Sequence, residues 1–361
     1  MLNGRPNENS VETAWKPQLI EAMMRHEFYP HPCRKIELVQ TMRSWLLFAG
    51  EFVYKIKKPV HFRFVDATTL AERFRLCREE VLLNRRLAPE VYVGVRGITQ
   101  RLGDYALIQD VTVTQQDVCE FAVVMHRLPD NRMLDRMVSG GTVSSRDISE
   151  LAKKLAAFQM QASTTKSKVW GSANAIFRLV MDDLAETRQL IADSVARDRL
   201  ATVSEYLHRY ISSHWQSLDN RARDGYVRDG HGDLRCDTIY FLSTGLAILD
   251  CIEYSEKLRY GDAASDVASL ALDLELAERV DLADALVAAY VAESDDARLL
   301  DLLRFYKCYR AIFRGKLEIL LSLQKALRTD RRMLARSNAS RFFALAENLA
   351  TAPAPYHFPK S

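Results

Sequence analysis

The feature that most constrains the fold is a change of period about a third of the way along the chain. Up to Pro129 the apolar residues come mainly in short β-rich runs; beyond it they recur at helical spacing, with one return to β character at residues 230–253. Before the break, "IELVQTM", "WLLFAG" and "EFVYKIKKPV" read as strands, with Ala49-Gly50-Glu51 as a tight turn. A short helix is expected at 13–27, a longer one over 68–87 closed by Ala88-Pro89, and strands at 91–99, 104–112 and 119–129. After the break, helices are expected at 148–162, 174–219, 263–295, 298–325 and 338–350. The order is a sheet lobe, a connector, and a helical lobe with one hairpin inside it, which is an α+β fold.

The chain's 361 residues suffice for two lobes with a sizeable core. A formal net charge of +3 makes no electrostatic case for nucleic acid or an anionic membrane as partner. No apolar run approaches the roughly 18 residues of a membrane span. The polar start "MLNGRPNENS" does not read as a signal peptide, so a cytoplasmic location is expected. Cys33, Cys77, Cys119, Cys236, Cys251 and Cys308 are scattered as reduced thiols would be, and His231, Cys236 and Cys251 match no zinc spacing.

The β interruption reads "GHGDLRCDTIYFLSTGLAILDCIE". Asp233 falls on a loop, "TIYFL" and "LAILD" form a hairpin about Ser243-Thr244-Gly245, and Asp250 closes its second strand. Two carboxylates brought to one end of a hairpin suit metal-assisted phosphoryl transfer, one orienting the attacking hydroxyl and the other holding Mg²⁺. Two solvated aspartates on a surface hairpin are the plainer alternative. In "FVYKIKK", alternation puts Val53, Lys55 and Lys57 on one face, and a lysine on a buried strand needs an anion. At 100° per residue Leu76, Glu80, Leu83 and Leu87 share a helical stripe, with Glu79 at its edge. Glu80 is therefore the acid that faces inward.

"HGDLRCDTIYF", "ILDCIEY" and "YGDAASDVASL" together resemble the catalytic segment of the aminoglycoside phosphotransferase family, which has the protein-kinase-like fold. "FVYKIKKPV" and "CREEVLLNRRLAPEVYVGV" are similar to one bacterial branch, in which this domain often precedes a P-loop ATPase domain. The likeness spans most of residues 14–325, and since no GxxxxGK(S/T) occurs, the second domain is expected to be absent. With the resemblance, the α+β reading becomes a two-lobed protein-kinase-like fold: an N-terminal helical extension (1–31), a β-rich N-lobe with one long helix (32–126), a mainly helical C-lobe (127–350) and a flexible tail (351–361). The C-lobe would hold the catalytic loop at 230–253 and a helical insertion at about 164–222.

Carried over position by position, the resemblance makes Asp233 the catalytic aspartate, His231 its support, Asp250 the metal ligand and Asp266 the brace of the loop. Lys55 and Glu80 become the ion pair that clamps nucleotide phosphates. Arg43 and Ser44 fall in the turn over the phosphates, and Met125 and Arg127 lie in the connector "VVMHRLP", which contacts adenine through its backbone. One position departs from the pattern. Thr238, preceded by Asp237, stands where the family has an asparagine as second metal ligand, and a hydroxyl ligates Mg²⁺ less reliably than an amide oxygen.

The implied activity is transfer of a γ-phosphoryl group from ATP or GTP, with Mg²⁺, to a small-molecule hydroxyl. The alternative is a degenerate kinase fold that binds nucleotide and regulates a partner. On the acceptor, two signals conflict. The acids of "MDDLAETRQLIADS" suit a cationic acceptor or merely a solvated helix face. Lys307, Arg310 and Arg314, within about 60° of one another around a helix, suit an anionic group in the cleft or a plain surface stripe.

Overall fold

The structure, a computed structural model, describes residues 16–62, 64–109, 117–164, 170–324 and 327–353. Outside them lie the polar start, the first residues of the helix expected at 13–27, residues 110–112 of an expected strand, 165–169 of the insertion, Lys325, and 354–361 of the tail. The first elements are α1 (Pro17–Met23), β1 (Ile36–Gln40), β2 (Ser44–Ala49), β3 (Phe52–Lys57), β4 (His61–Phe62), β5 (Val65–Asp66) and α2 (Leu70–Asn84). Strands β6 (Tyr92–Arg101), β7 (Asp104–Ile108) and β8 (Val118–His126) follow. Then come α3 (Leu134–Ser139), α4 (Ser145–Gln161), α5 (Ala173–Leu190), α6 (Ser194–Ser213), α7 (Trp215–Arg223) and β9 (Val227–Asp229). A hairpin of β10 (Ile239–Leu242) and β11 (Gly245–Ile248) leads to α8 (Glu256–Arg259), β12 (Tyr260–Asp262) and α9 (Ala263–Leu276). Helices α10 (Val280–Ser294), α11 (Leu299–Leu323) and α12 (Thr329–Thr351) complete the order. The chain divides into two compact units, residues up to Arg132 with Ile239–Ser255, and Met133–Thr238 with the chain from Glu256 onward.

The first unit is built on a six-stranded antiparallel sheet of order β1-β2-β3-β8-β6-β7. Both of its faces are covered. Tyr54 and Ile56 of β3, with Ala122 and Val124 of β8, pack against Leu19, Ile20 and Met23 of α1. The alternate residues Val53, Phe121, Val123 and Met125 pack against Cys77 and Val81 of α2. The strand period thus puts Lys55 and Lys57 on the α2 side. On α2 the stripe Leu76, Glu80, Leu83 is buried, whereas Leu82 is exposed. Thr69 caps the helix by accepting the Glu72 N–H. The β2–β3 turn needs Gly50: its φ is +60°, and a Cβ would lie 2.9 Å from the Pro32 carbonyl. The hairpin, which sequence order sets within the helical stretch, packs with the sheet unit, Ala247 joining the cluster of Val53, Cys77 and Phe121. Its apolar strands have a sheet and a helix to bury against there.

The second unit is helical around α9, whose residues from Ala263 to Leu272 are all buried. The helical stretch expected at 174–219 is three helices. Asp193 stops the run by accepting the Ala196 N–H as the cap of α6, and a further break falls at His214. The expected 263–295 helix breaks at Glu278, whose φ is +60°. The last helix begins earlier than expected, at Thr329. No helix among the described residues is long and apolar enough to cross a membrane.

One buried charge group fixes the entry to α9. The Arg221 guanidinium donates to Asp262 (2.5 and 2.8 Å) and to Asp296 (2.9 and 2.7 Å), and all three side chains are almost wholly enclosed. Asp262 also accepts the Ala264 N–H as the cap of α9. Replacing Arg221 with Met leaves two carboxylates buried without their cation. The expected loss is about 3–5 kcal/mol of stability, read as a lower urea midpoint at pH 7; a midpoint within error of wild type refutes this account.

Candidate active site

Lys55 and Lys57 project from one face of β3 towards Glu80 of α2. Lys57 Nζ donates to Glu80 Oε2 at 2.6 Å, and Lys55 Nζ lies 2.8 Å from Oε1 as an ion pair outside hydrogen-bond geometry, so each oxygen of a fully buried carboxylate faces its own ammonium. Lys55 also donates to Asp250 Oδ1 at 2.7 Å, and Lys57 to Glu253 Oε1 at 2.6 Å. Arg43 lies 3.7 Å from the same Glu253 oxygen and stacks on the Tyr254 ring at 4.0 Å. The six side chains form one alternating row, Asp250–Lys55–Glu80–Lys57–Glu253–Arg43. Burial works to lower the pKa of Lys55, but the Asp250 and Glu80 carboxylates outweigh it and hold the ammonium well above its usual range. Burial likewise works to raise Glu253, and Lys57, Arg43 and Lys55 together hold it below the usual carboxylate range.

Asp250 reaches Lys55 from an unusual backbone. Its φ is +63°, the left-handed region that aspartate tolerates better than most residues. Its flanks are tied down: the Asp250 N–H donates to Tyr92 Oη (3.4 Å) and the Cys251 N–H to Asn84 Oδ1 (2.9 Å), while Asn84 donates to the Glu80 carbonyl. The same stretch of α2 thus anchors both Glu80 and the Asp250 segment. Such strain, held by its surroundings, is typical of functional positions. The turn of Arg43 and Ser44, expected over the phosphates, is held locally, the Ser44 N–H donating to Thr41 Oγ1 (2.9 Å) and the Lys58 N–H to the Arg43 carbonyl (2.7 Å). In the connector Met125 is buried opposite Val53 and Tyr92. Its neighbours' N–H groups are engaged, His126 donating to the Val91 carbonyl and Arg127 to that of Glu51.

Asp233 and His231 lie in the second unit. Asp266, near the start of α9, accepts the His231 N–H on Oδ2 (2.9 Å) and the Gly232 N–H on Oδ1 (3.0 Å). Gln159 donates to Asp266 at 3.3 Å and accepts from Tyr290 Oη at 2.6 Å, which orients its amide. At Gly230 an added Cβ would lie 2.7 Å from Asp266 Oδ2, so only glycine lets the brace approach. His231 is buried, and its Nδ1 accepts the Asp233 N–H (3.3 Å), which puts the ring proton on Nε2. Arg235 pairs with both Asp233 (3.4 Å) and Asp237 (2.9 Å).

The expected metal ligands differ in readiness. Asp250 offers a carboxylate with 37% of its side chain exposed, a donor suited to a hard divalent cation. Thr238 is buried, and its hydroxyl donates to the Arg235 carbonyl at 2.8 Å, while Asp237 is paired with Arg235. Among the described residues no three His, Cys, Asp or Glu side chains are grouped to hold a metal ion. The basic stripe is met by α9: Lys307 pairs with Glu275, Arg310 donates to the Ser265 hydroxyl and lies 3.9 Å from Asp266, and Arg314 pairs with Asp273. Arg314, with Cys236, Asp237, Asp273 and Glu318, lines a cavity of about 440 Å³ in the second unit. Burial and the nearby Arg235 push the Arg314 guanidinium below its usual range.

Sequence reasoning passed over Glu253 and the role of Lys57. Alternation places Lys57 on the Lys55 face, and its burial there requires anions of its own. Glu253 carried no local signal, because its partner Lys57 lies 196 positions away.

This is the protein-kinase-like fold. The chain is similar to a choline/ethanolamine kinase family protein from Mesorhizobium loti, at 14% identity and a TM-score of 0.54 over 93% of this chain and 96% of that one. An amicoumacin kinase solved with AMP-PNP and Ca²⁺ matches at 12% identity and 0.55, over 95% and 96% of the two chains. A thermostable mutant of an aminoglycoside phosphotransferase matches at 11% and 0.51, over 91% and 98%. In sequence, uncharacterised proteins of Mycobacterium tuberculosis and Mycobacterium bovis are 32% identical over 284 residues, 78% of this chain and 54% of theirs. The chain spans about half the length of these curated relatives. No family model matches it.

The lowered Glu253 pKa has a signed consequence. Its contribution to stability is fully present above the unfolded value of about 4.3 and is lost as pH falls through the lower folded value. Glu253→Gln should therefore be less stable than wild type at pH 7, with a shallower fall in urea midpoint below about pH 4.3. Parallel acid profiles for the two proteins would exclude this role.

Proposed function

We propose that the chain transfers the γ-phosphoryl group of ATP or GTP to a hydroxyl of a small molecule. The observation that carries this reading is the row at Lys55, where a strand lysine is held between a helix glutamate and an aspartate in left-handed backbone. In that reading Lys55 binds the nucleotide phosphates, Glu80 holds Lys55, and Asp250 holds Mg²⁺. A divalent cation held there would supply charge neutralisation at the phosphates. Ser44 and Arg43 border the phosphates, and the backbone about Met125 and Arg127 meets the base. Asp233 orients the acceptor hydroxyl and accepts its proton, with His231 and Asp266 keeping the loop in shape. The acceptor seat is the cavity lined by Arg314; Lys307 and Arg310, paired with Glu275 and Asp266, are not part of its lining.

A second reading is favoured by one observation. The Thr238 hydroxyl is already committed to the Arg235 carbonyl, so the position where an asparagine would ligate metal is turned inward. A kinase fold that binds nucleotide without transfer, and acts on a partner, fits that geometry.

Nucleotide consumption with Mg²⁺, screened against a panel of metabolites and antibiotics, separates the two. Turnover dependent on one acceptor supports the enzyme, and nucleotide binding without turnover supports the regulator. Within the enzyme reading, Asp233→Asn should lower kcat by about 100-fold or more with nucleotide affinity near normal. Asp250→Asn should weaken Mg²⁺-nucleotide binding itself, by the roughly 1.5–3 kcal/mol of a charge-assisted contact. Equal and mild effects of both would refute these roles. Thr238→Asn should raise turnover if the site is a weakened kinase; unchanged activity would mean the loop is built around Arg235 and Asp237 instead.

A further inference from the structure

We infer that Lys57 is a positioning residue for nucleotide binding, acting on Lys55 through the shared Glu80 carboxylate. This deepens the phosphotransferase reading and rests on it. A single lysine–glutamate pair leaves one carboxylate oxygen unmet, and the group is free to turn about its last torsion, which is broad. Here Lys57 occupies Oε2 at 2.6 Å and thereby aims Oε1 at Lys55, 2.8 Å away. Lys57 cannot serve phosphate itself. It is almost wholly buried, with Glu80 on one side and Glu253 on the other, each 2.6 Å away.

Lys57 is itself fixed from behind. Glu253 bonds it and also faces Arg43, which stacks on Tyr254. The orientation of Glu80 is therefore set by residues on β3, on the turn before β2 and after the hairpin. When phosphate draws Lys55 away from Asp250, Glu80 still has one fixed ammonium and keeps its orientation towards the other.

The test compares binding of ATP with Mg²⁺ and of adenosine, by calorimetry, to wild type, to Lys57→Met, and to Lys57→Met combined with Glu253→Gln. A positioning role predicts that Lys57→Met weakens Mg²⁺-ATP binding about tenfold or more and leaves adenosine binding within twofold, because only the phosphates depend on Lys55. The double variant removes the carboxylate that Lys57→Met strands, so its melting temperature should recover towards wild type while the ATP defect persists. A purely structural role predicts that both ligands weaken together and that both recover in the double variant; that result overturns the inference. So does an unchanged ATP affinity in Lys57→Met. Wild-type protein that binds no Mg²⁺-ATP overturns the phosphotransferase reading, and the inference with it.

Discussion

A carboxylate with no access to water must have its charge met, and Glu80 is met by two lysines of one strand. This requirement governs the first unit. Strand alternation puts Lys55 and Lys57 on the same face, two residues apart, and the pair needs an acid that arrives between them. Helix α2 supplies it only if the helix lies flat on the sheet with its Leu76–Leu83 stripe inward. The second lysine then needs another anion, which the chain after the hairpin provides as Glu253. A buried row of this kind is weak evidence for stability, since its desolvation is costly. It does specify one arrangement of sheet, helix and hairpin, because any slip leaves a charge alone.

The second unit uses a carboxylate differently. Asp266 accepts backbone N–H groups of the 230–233 loop, so it shapes a turn where Glu80 orients a cation. The support is layered: Gln159 and Tyr290 hold Asp266, and Arg221 with Asp262 and Asp296 holds the start of its helix. Gly230 is part of the same device, since its lack of a side chain is what admits the carboxylate.

Much of this was legible in the sequence because it follows local periods. Alternation in "FVYKIKK" and the 100° step along α2 both point Lys55 and Glu80 inward, and the turn at Gly50 follows from its neighbours. What stayed hidden depends on distance along the chain or on competition at helix ends. Glu253 pairs with a residue nearly 200 positions earlier, and no local pattern marks it. The breaks at Asp193 and Glu278 came where a side-chain cap or a left-handed residue overrode continuing helical periodicity. The hairpin's attachment to the sheet unit is a packing choice, decided by which apolar surface its strands can cover.

The charge row has wet ends and a dry middle. Asp250 and Arg43, at its two ends, keep 37% and 29% of their side chains exposed, while Glu80, Lys57 and Glu253 keep 5% or less. Dissolved ions therefore act on it unevenly. At an ionic strength where the screening length is about 8 Å, contacts this short and this enclosed are little screened, and what a dissolved ion can meet directly is the exposed part of Asp250 and of Arg43. An incoming ion meets the aspartate before it reaches the lysine's seat, so the row is open to exchange at its outer end while its inner register is shielded.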